Sequence, residues 1–215
     1  MAFLSSEPQT FTGGCLCSAI RYTISVPALS SRNVIDKALP TPINARGDTV
    51  DTRFPFIFLD HCQDCRRASG APLQCWFICP QAWVEFELQH VNGDGTRSTN
   101  ASGVVSNPQK ELTDATYLGY YNSSADAHRC FCRRCGTPFS WSSTTPKPSS
   151  WNNGDLVDIA VGTLDQESLD RVKPDRHGWW DHGTEWIKKL VSEGDQGVLI
   201  RHPHGRVSQQ VQPDK

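Results

Sequence analysis

The placement of the cysteines constrains this chain more than any other feature. Nine are present, and six of them form three close pairs: Cys15-x-Cys17, Cys62-x-x-Cys65 and Cys132-x-x-Cys135. A C-x-x-C knuckle turns the backbone back so that two sulfurs face one tetrahedral ion, and zinc prefers such a soft, deprotonated ligand set. "GGCLC" places glycines before the first pair for tight backbone approach. "CRRCGT" places one directly after the last thiol, where a left-handed turn is often needed. One such pair is weak evidence, whereas three make metal binding the expectation. The odd number of cysteines argues against a fully paired disulfide framework. Three pairs supply six ligands, too few for two closed four-cysteine sites. One complete and one incomplete site fit the arithmetic, and an incomplete site with a position left to water or substrate is the mark of catalytic zinc. Spacing does not say which pair is left over.

The 215 residues are enough for one domain with a real core. A formal charge of −2 and a pI near 6.4 carry no polybasic signature, so neither nucleic acid nor an anionic membrane is favoured as a partner. No apolar run approaches the ~18 residues of a membrane span, and "MAFLSSEPQT" does not read as a signal peptide. The expected setting is cytoplasmic and reducing, where thiols stay reduced or bind metal. Strand patterns recur at Ala19 to Val26, Arg53 to Asp60, Cys75 to Leu88, "ATYLGYYNS", "PFSWSS" and Leu156 to Leu164. Helical periodicity is scarce. Its best case is Gly183 to Gly194, with Trp186, Ile187 and Leu190 on one face. The expected fold class is mainly β with few short helices. Residues 30–53 and 92–109 read as polar loops, 142–150 as loop-like or extended, and 206–215 as a flexible tail. A single domain is expected over 11–200.

The motifs "GGCLCSAIRY", "DHCQDCRRASGAP", "RCFCRRCGTPFSW", "VGTLD" and "KPDRHGWWDHGTEW" occur in the order seen in the glutathione-dependent formaldehyde-activating enzyme family, which includes centromere protein V. The chain resembles that family from about Gly13 to Trp186. The resemblance implies a β-tent of small antiparallel sheets stapled by zinc, with Cys15, Cys17, Cys132 and Cys135 as ligands of a structural ion. It matches "DHCQDC" to the family's C-H-C-x-x-C catalytic zinc motif and puts Cys62 and Cys65 at its second and third cysteines. It also implies carbon–sulfur lyase chemistry, with glutathione as a substrate component.

The departure is at the first ligand, where the family has cysteine and this chain has Asp60. A carboxylate binds zinc at about 2.0–2.2 Å, so Asp60, Cys62 and Cys65 make a three-ligand open site in one reading. In another, Asp60 is a general base beside a weakly held ion. In a third, no stable zinc binds there. Asp60 and His61 are the candidate catalytic groups, although strand alternation points His61 away from its neighbours. Arg66 and Arg67 are candidates for holding an anionic substrate such as a glutathione carboxylate. Cys75, Cys79 and Cys130 read as core. A zinc-dependent lyase, or a related dehydratase or isomerase on another small carbonyl compound, is the leading expectation. A non-catalytic, zinc-stapled binding module with a decayed second site is its rival. The expected partner is a small molecule, and monomer and homodimer are both compatible with the sequence.

Overall fold

The computed structural model describes residues 4–35, 52–146, 154–199 and 201. Among them eleven strands build two sheets. The smaller has the order β1 (Gln9–Gly14), β2 (Ile20–Val26), β5 (Val84–Gln89), β6 (Thr96–Asn100). The larger has the order β11 (Arg176–Gly178), β3 (Phe56–Asp60), β4 (Gln74–Pro80), β10 (Leu156–Ala160), β9 (Pro138–Ser143), β8 (Ala127–Cys132), β7 (Leu118–Asn122). Every pairing is antiparallel except that of β11 with β3. The described residues also form five short α-helices: α1 (Gln63–Ser69), α2 (Ser102–Val105), α3 (Lys110–Ala115), α4 (Gln166–Leu169) and α5 (Glu185–Glu193). The mainly β class read from the sequence is the class found. No described helix is long and apolar enough to cross a membrane.

The small sheet forms because its sequence alternates. In β2, Ile20, Tyr22, Ile24 and Val26 are buried, and in β5 Val84, Phe86 and Leu88 are, with Glu85 and Glu87 exposed between them. Period-two apolarity buries one face of a strand and wets the other. Tyr22 lies opposite Phe86 in the register. The two sheets meet through rings: Phe11 of β1 is 5.3 Å from Phe77 of β4, and Phe86 of β5 is 5.7 Å from Phe139 of β9. Ile57, Cys79, Cys130, Val157 and Ile159 complete the large sheet's share of this core.

The large sheet's outer face positions the functional residues. One in-register row crosses six strands: Phe56, Ile78, Asp158, Trp141, Arg129 and Tyr121. Next to it Phe58 pairs with Trp76, and Trp76 with Ala160. This face therefore mixes aromatic and charged groups, while the inner face is mostly apolar, with Ser140 and Ser142 among its buried residues.

Three expectations change. Residues 92–109, read as a coreless loop, contain β6 and α2, and Ala101, Val104 and Val105 are buried in the main core. β6 is an edge strand of polar, exposed side chains, and α2 is a single turn, so neither produces a periodic signal. On α5 only Ile187 is buried, while Trp186 and Leu190 are exposed. The run ending at Leu164 leaves the sheet at Ala160 and turns as a 3-10 helix over Val161–Thr163. Most of loop 30–53, much of 142–150 and the tail 206–215 lie outside the described residues.

Candidate metal centres and cavity

Cys15 and Cys17 sit in the turn between β1 and β2, and Cys132 and Cys135 bracket the turn after β8. Their four sulfurs all lie within 4.8 Å of one another. Cys15 is 3.6 Å from Cys17, and Cys17 is 3.7 Å from Cys132. A tetrahedral zinc with bonds of about 2.3 Å places its sulfurs roughly 3.8 Å apart, so the spacing fits the ion. The turns need their glycines. A Cβ on Gly14 would lie 2.4 Å from the Ile20 carbonyl oxygen, and Gly136 has φ of 78°. The Ile20 amide donates to the Cys15 sulfur at 3.3 Å. Burial pushes the Cys15 thiol up and the Cys132 thiol up to about 12.

The second cluster is local. Asp60 ends β3, Cys62 caps α1 and Cys65 lies within it. Positions three apart at a helix start fall on one side, and one ligand atom from each of Asp60, Cys62 and Cys65 lies within 4.8 Å of the others. Asp60 is 4% exposed. Its Oδ1 accepts the Cys62 amide at 2.8 Å, and its Oδ2 accepts the Trp76 indole N–H at 2.9 Å. A carboxylate has about four lone-pair sites, so two protein donors leave room for an ion. Burial pushes the Cys65 thiol far up.

This cluster forms part of the wall of a cavity of about 550 Å³ on the outer face of the large sheet. Phe58, Trp76, Trp141 and Trp179 supply aromatic walls; Asp126 and Asp158 also face the space. Trp179 holds a left-handed conformation, φ 54°, rare for a non-glycine residue and common near functional sites. None of the four cysteines of the first cluster lines this cavity.

His61 and the two helix arginines do not face the cavity. The buried His61 ring lies on the other side of β3, with Nε2 3.1 Å from Nδ1 of His177 and its ring 5.0 Å from Trp180. Burial lowers the pKa of His61, with His177 adding to the effect, and burial lowers His177 too. The "RHGWWDHG" segment thus encloses His61 as a packed pair. Arg66 is half-buried and Arg67 exposed on α1, and neither lines the cavity. The lining cation is Arg129, a residue the sequence reading missed. It donates through Nη2 to the Cys65 sulfur at 3.3 Å and through Nε to Ser123 Oγ at 3.3 Å. Its signal was the alternation of "HRCFC": if Cys130 and Cys132 face inward, Arg129 faces out. Cys130 is buried in the core, its thiol directed at the Val104 carbonyl.

The family model for the glutathione-dependent formaldehyde-activating enzyme matches residues 49–182, more than half of the chain. The chain belongs to this family. The glutathione-dependent formaldehyde-activating match takes in Asp60, Cys62, Cys65, Arg129, Cys132 and Cys135, whereas Cys15 and Cys17 precede it. Membership in the formaldehyde-activating family ties the chain to glutathione-related, lyase-like chemistry on a small molecule. No curated protein matches the chain.

Proposed function

We propose that this chain is a zinc-dependent lyase of the carbon–sulfur class, folded as one domain over about residues 11–200, with one structural and one catalytic zinc. It makes or breaks the bond between a thiol sulfur and a carbonyl-derived carbon, as in the hydroxymethyl adduct of glutathione. One observation carries this reading: Asp60, Cys62 and Cys65 converge within 4.8 Å at the wall of a cavity large enough for a small substrate. Four cysteines complete a tetrahedron, whereas three ligands leave a position open. A zinc ion held there supplies a Lewis acid that polarises a carbonyl or receives a sulfur.

The chain's own residues set the rest. Trp76 and the Cys62 amide fix both oxygens of Asp60, which favours a ligand role over that of a mobile base. The aromatic walls offer the carbon skeleton of a substrate an apolar surface. As the sulfur adds to the carbonyl carbon, the C=O π bond breaks and the proton given up by the thiol ends on the oxygen; the reverse reaction returns that proton to the sulfur. The position of His61 behind β3 does not favour it as the proton carrier. Nine unpaired cysteines suit a reducing, cytoplasmic setting.

Metal analysis of the purified chain tests the reading: two zinc ions per chain are expected, and one overturns it. A non-catalytic zinc-stapled module is the second reading, favoured by the carboxylate of Asp60 standing where the family's zinc motif has a thiolate. It predicts one zinc per chain and no production of thiol adducts, followed by NMR with glutathione and formaldehyde.

A further inference from the structure

Arg129 is 7% exposed, on the outer face of β8. A guanidinium has five N–H donors and no lone pair to offer a metal. Two of its donors are used inside the protein, one on Cys65 Sγ and one on Ser123 Oγ. Among the described residues no carboxylate forms an ion pair with it. A buried cation without an anionic partner is costly, and among its described hydrogen bonds the group that becomes anionic on binding a metal is the Cys65 sulfur. Ser123 is neutral and only orients the fork.

The charges agree. Asp60, Cys62 and Cys65 in their metal-binding forms carry three negative charges, and a divalent cation cancels two. One negative charge remains in a poorly solvated wall. Arg129 brings the sum for the cluster itself to zero from a position where it cannot displace a ligand, while Asp126 and Asp158 add negative charge elsewhere along the same cavity.

We propose that Arg129 is the counter-ion and positioning residue of the Asp60–Cys62–Cys65 cluster, setting how tightly the cluster holds a divalent cation. This rests on the metal-binding reading above. It makes Arg129 to Cys65 what Trp76 is to Asp60: the donor behind a ligand that holds the ligand's orientation. Partners of this kind typically change metal affinity about 10- to 100-fold when removed. The four-cysteine cluster has no contact with Arg129 among the hydrogen bonds described for that residue, so it serves as an internal reference.

The test is zinc competition against a chelator series on the full chain, comparing wild type with R129M and R129K. R129M is expected to weaken the second ion about 10- to 100-fold and leave the first unchanged. R129K, which keeps the charge and loses the planar fork, is expected to recover part of the loss. In cobalt-substituted protein, R129M moves the thiolate-to-cobalt absorption to longer wavelength, because a sulfur without its donor holds its electrons less tightly. Loss of packing alone would not produce that shift. If R129M does not fold, Ser123→Ala gives the same reading with a smaller loss, about two- to tenfold. Equal second-site affinities in wild type and a folded variant overturn the counter-ion role alone. A wild-type chain that binds a single ion overturns this role and the two-zinc reading together.

Discussion

The two sulfur clusters differ in how the chain assembles them. The first draws Cys15 and Cys17 from one sheet and Cys132 and Cys135 from the other, across more than a hundred residues. The second takes Asp60, Cys62 and Cys65 from one strand end and the helix after it. The first cluster ties the sheets together and stands apart from the cavity. The second holds nothing distant, has three donors, and opens onto the cavity. A ligand set that closes a long loop is suited to stability; one that is local and incomplete leaves its binding energy for another molecule.

The sharpest way to break this contrast is to remove one ligand from each cluster. Structural zinc contributes apparent binding energy of about 10–16 kcal/mol, as large as the ~5–15 kcal/mol stability of a whole domain. Cys135→Ala is therefore expected to yield unfolded or aggregated protein, read by circular dichroism and sedimentation. A soluble, cooperatively melting C135A chain would contradict the stapling role. Cys62→Ala should behave differently: zinc content falls from two to one, turnover disappears, and the fold survives. Its Tm is expected to move by only about 2–4 °C, the shift for ~1 kcal/mol in a chain of this size.

Asp60→Cys sharpens the comparison by restoring three thiolates. It also leaves the Trp76 indole N–H without its carboxylate. A buried donor left unsatisfied costs about 1–3 kcal/mol. The metal-free variant should melt below wild type, while its second-site zinc affinity rises. Scanning calorimetry with and without zinc separates the two effects.

A further effect concerns pH. Cys15, Cys132 and Cys65 all have thiol pKa values raised by burial, so these thiols are protonated in the metal-free chain at neutral pH. Zinc needs thiolates, and binding therefore releases protons. Affinity should fall as pH falls, by about tenfold per unit for each proton released. Isothermal titration in buffers of different ionisation enthalpy counts those protons.

Much of the fold was legible from two strand patterns. β2 and β5 alternate apolar and wetter positions, whereas β4 and β10 are short apolar runs buried on both faces. The first pair of cysteines could be matched to the last only by resemblance to a family, since nothing local links position 15 to position 135. Asp60 stood out as a departure, but its tether to Trp76 depends on cross-strand register, which composition does not encode. Arg66 and Arg67 drew attention because they adjoin the cysteines in sequence, yet α1 carries them away from the cavity. Arg129, sixty-four residues from Cys65, is the cation that reaches it. α5 was legible as a helix from the apolar residues on one face, although burial is confined to Ile187.

β8 carries Cys132 toward one cluster and Arg129 toward the other, three positions apart on opposite faces. Side chains in a strand alternate, so sliding β8 by one residue would exchange its faces. The guanidinium would then enter the core beside the remaining thiols, and Cys132 would open onto the cavity. A one-residue slip of this strand would thus take a sulfur from one cluster and the donor behind Cys65 from the other at once, a double loss that no single substitution within it reproduces.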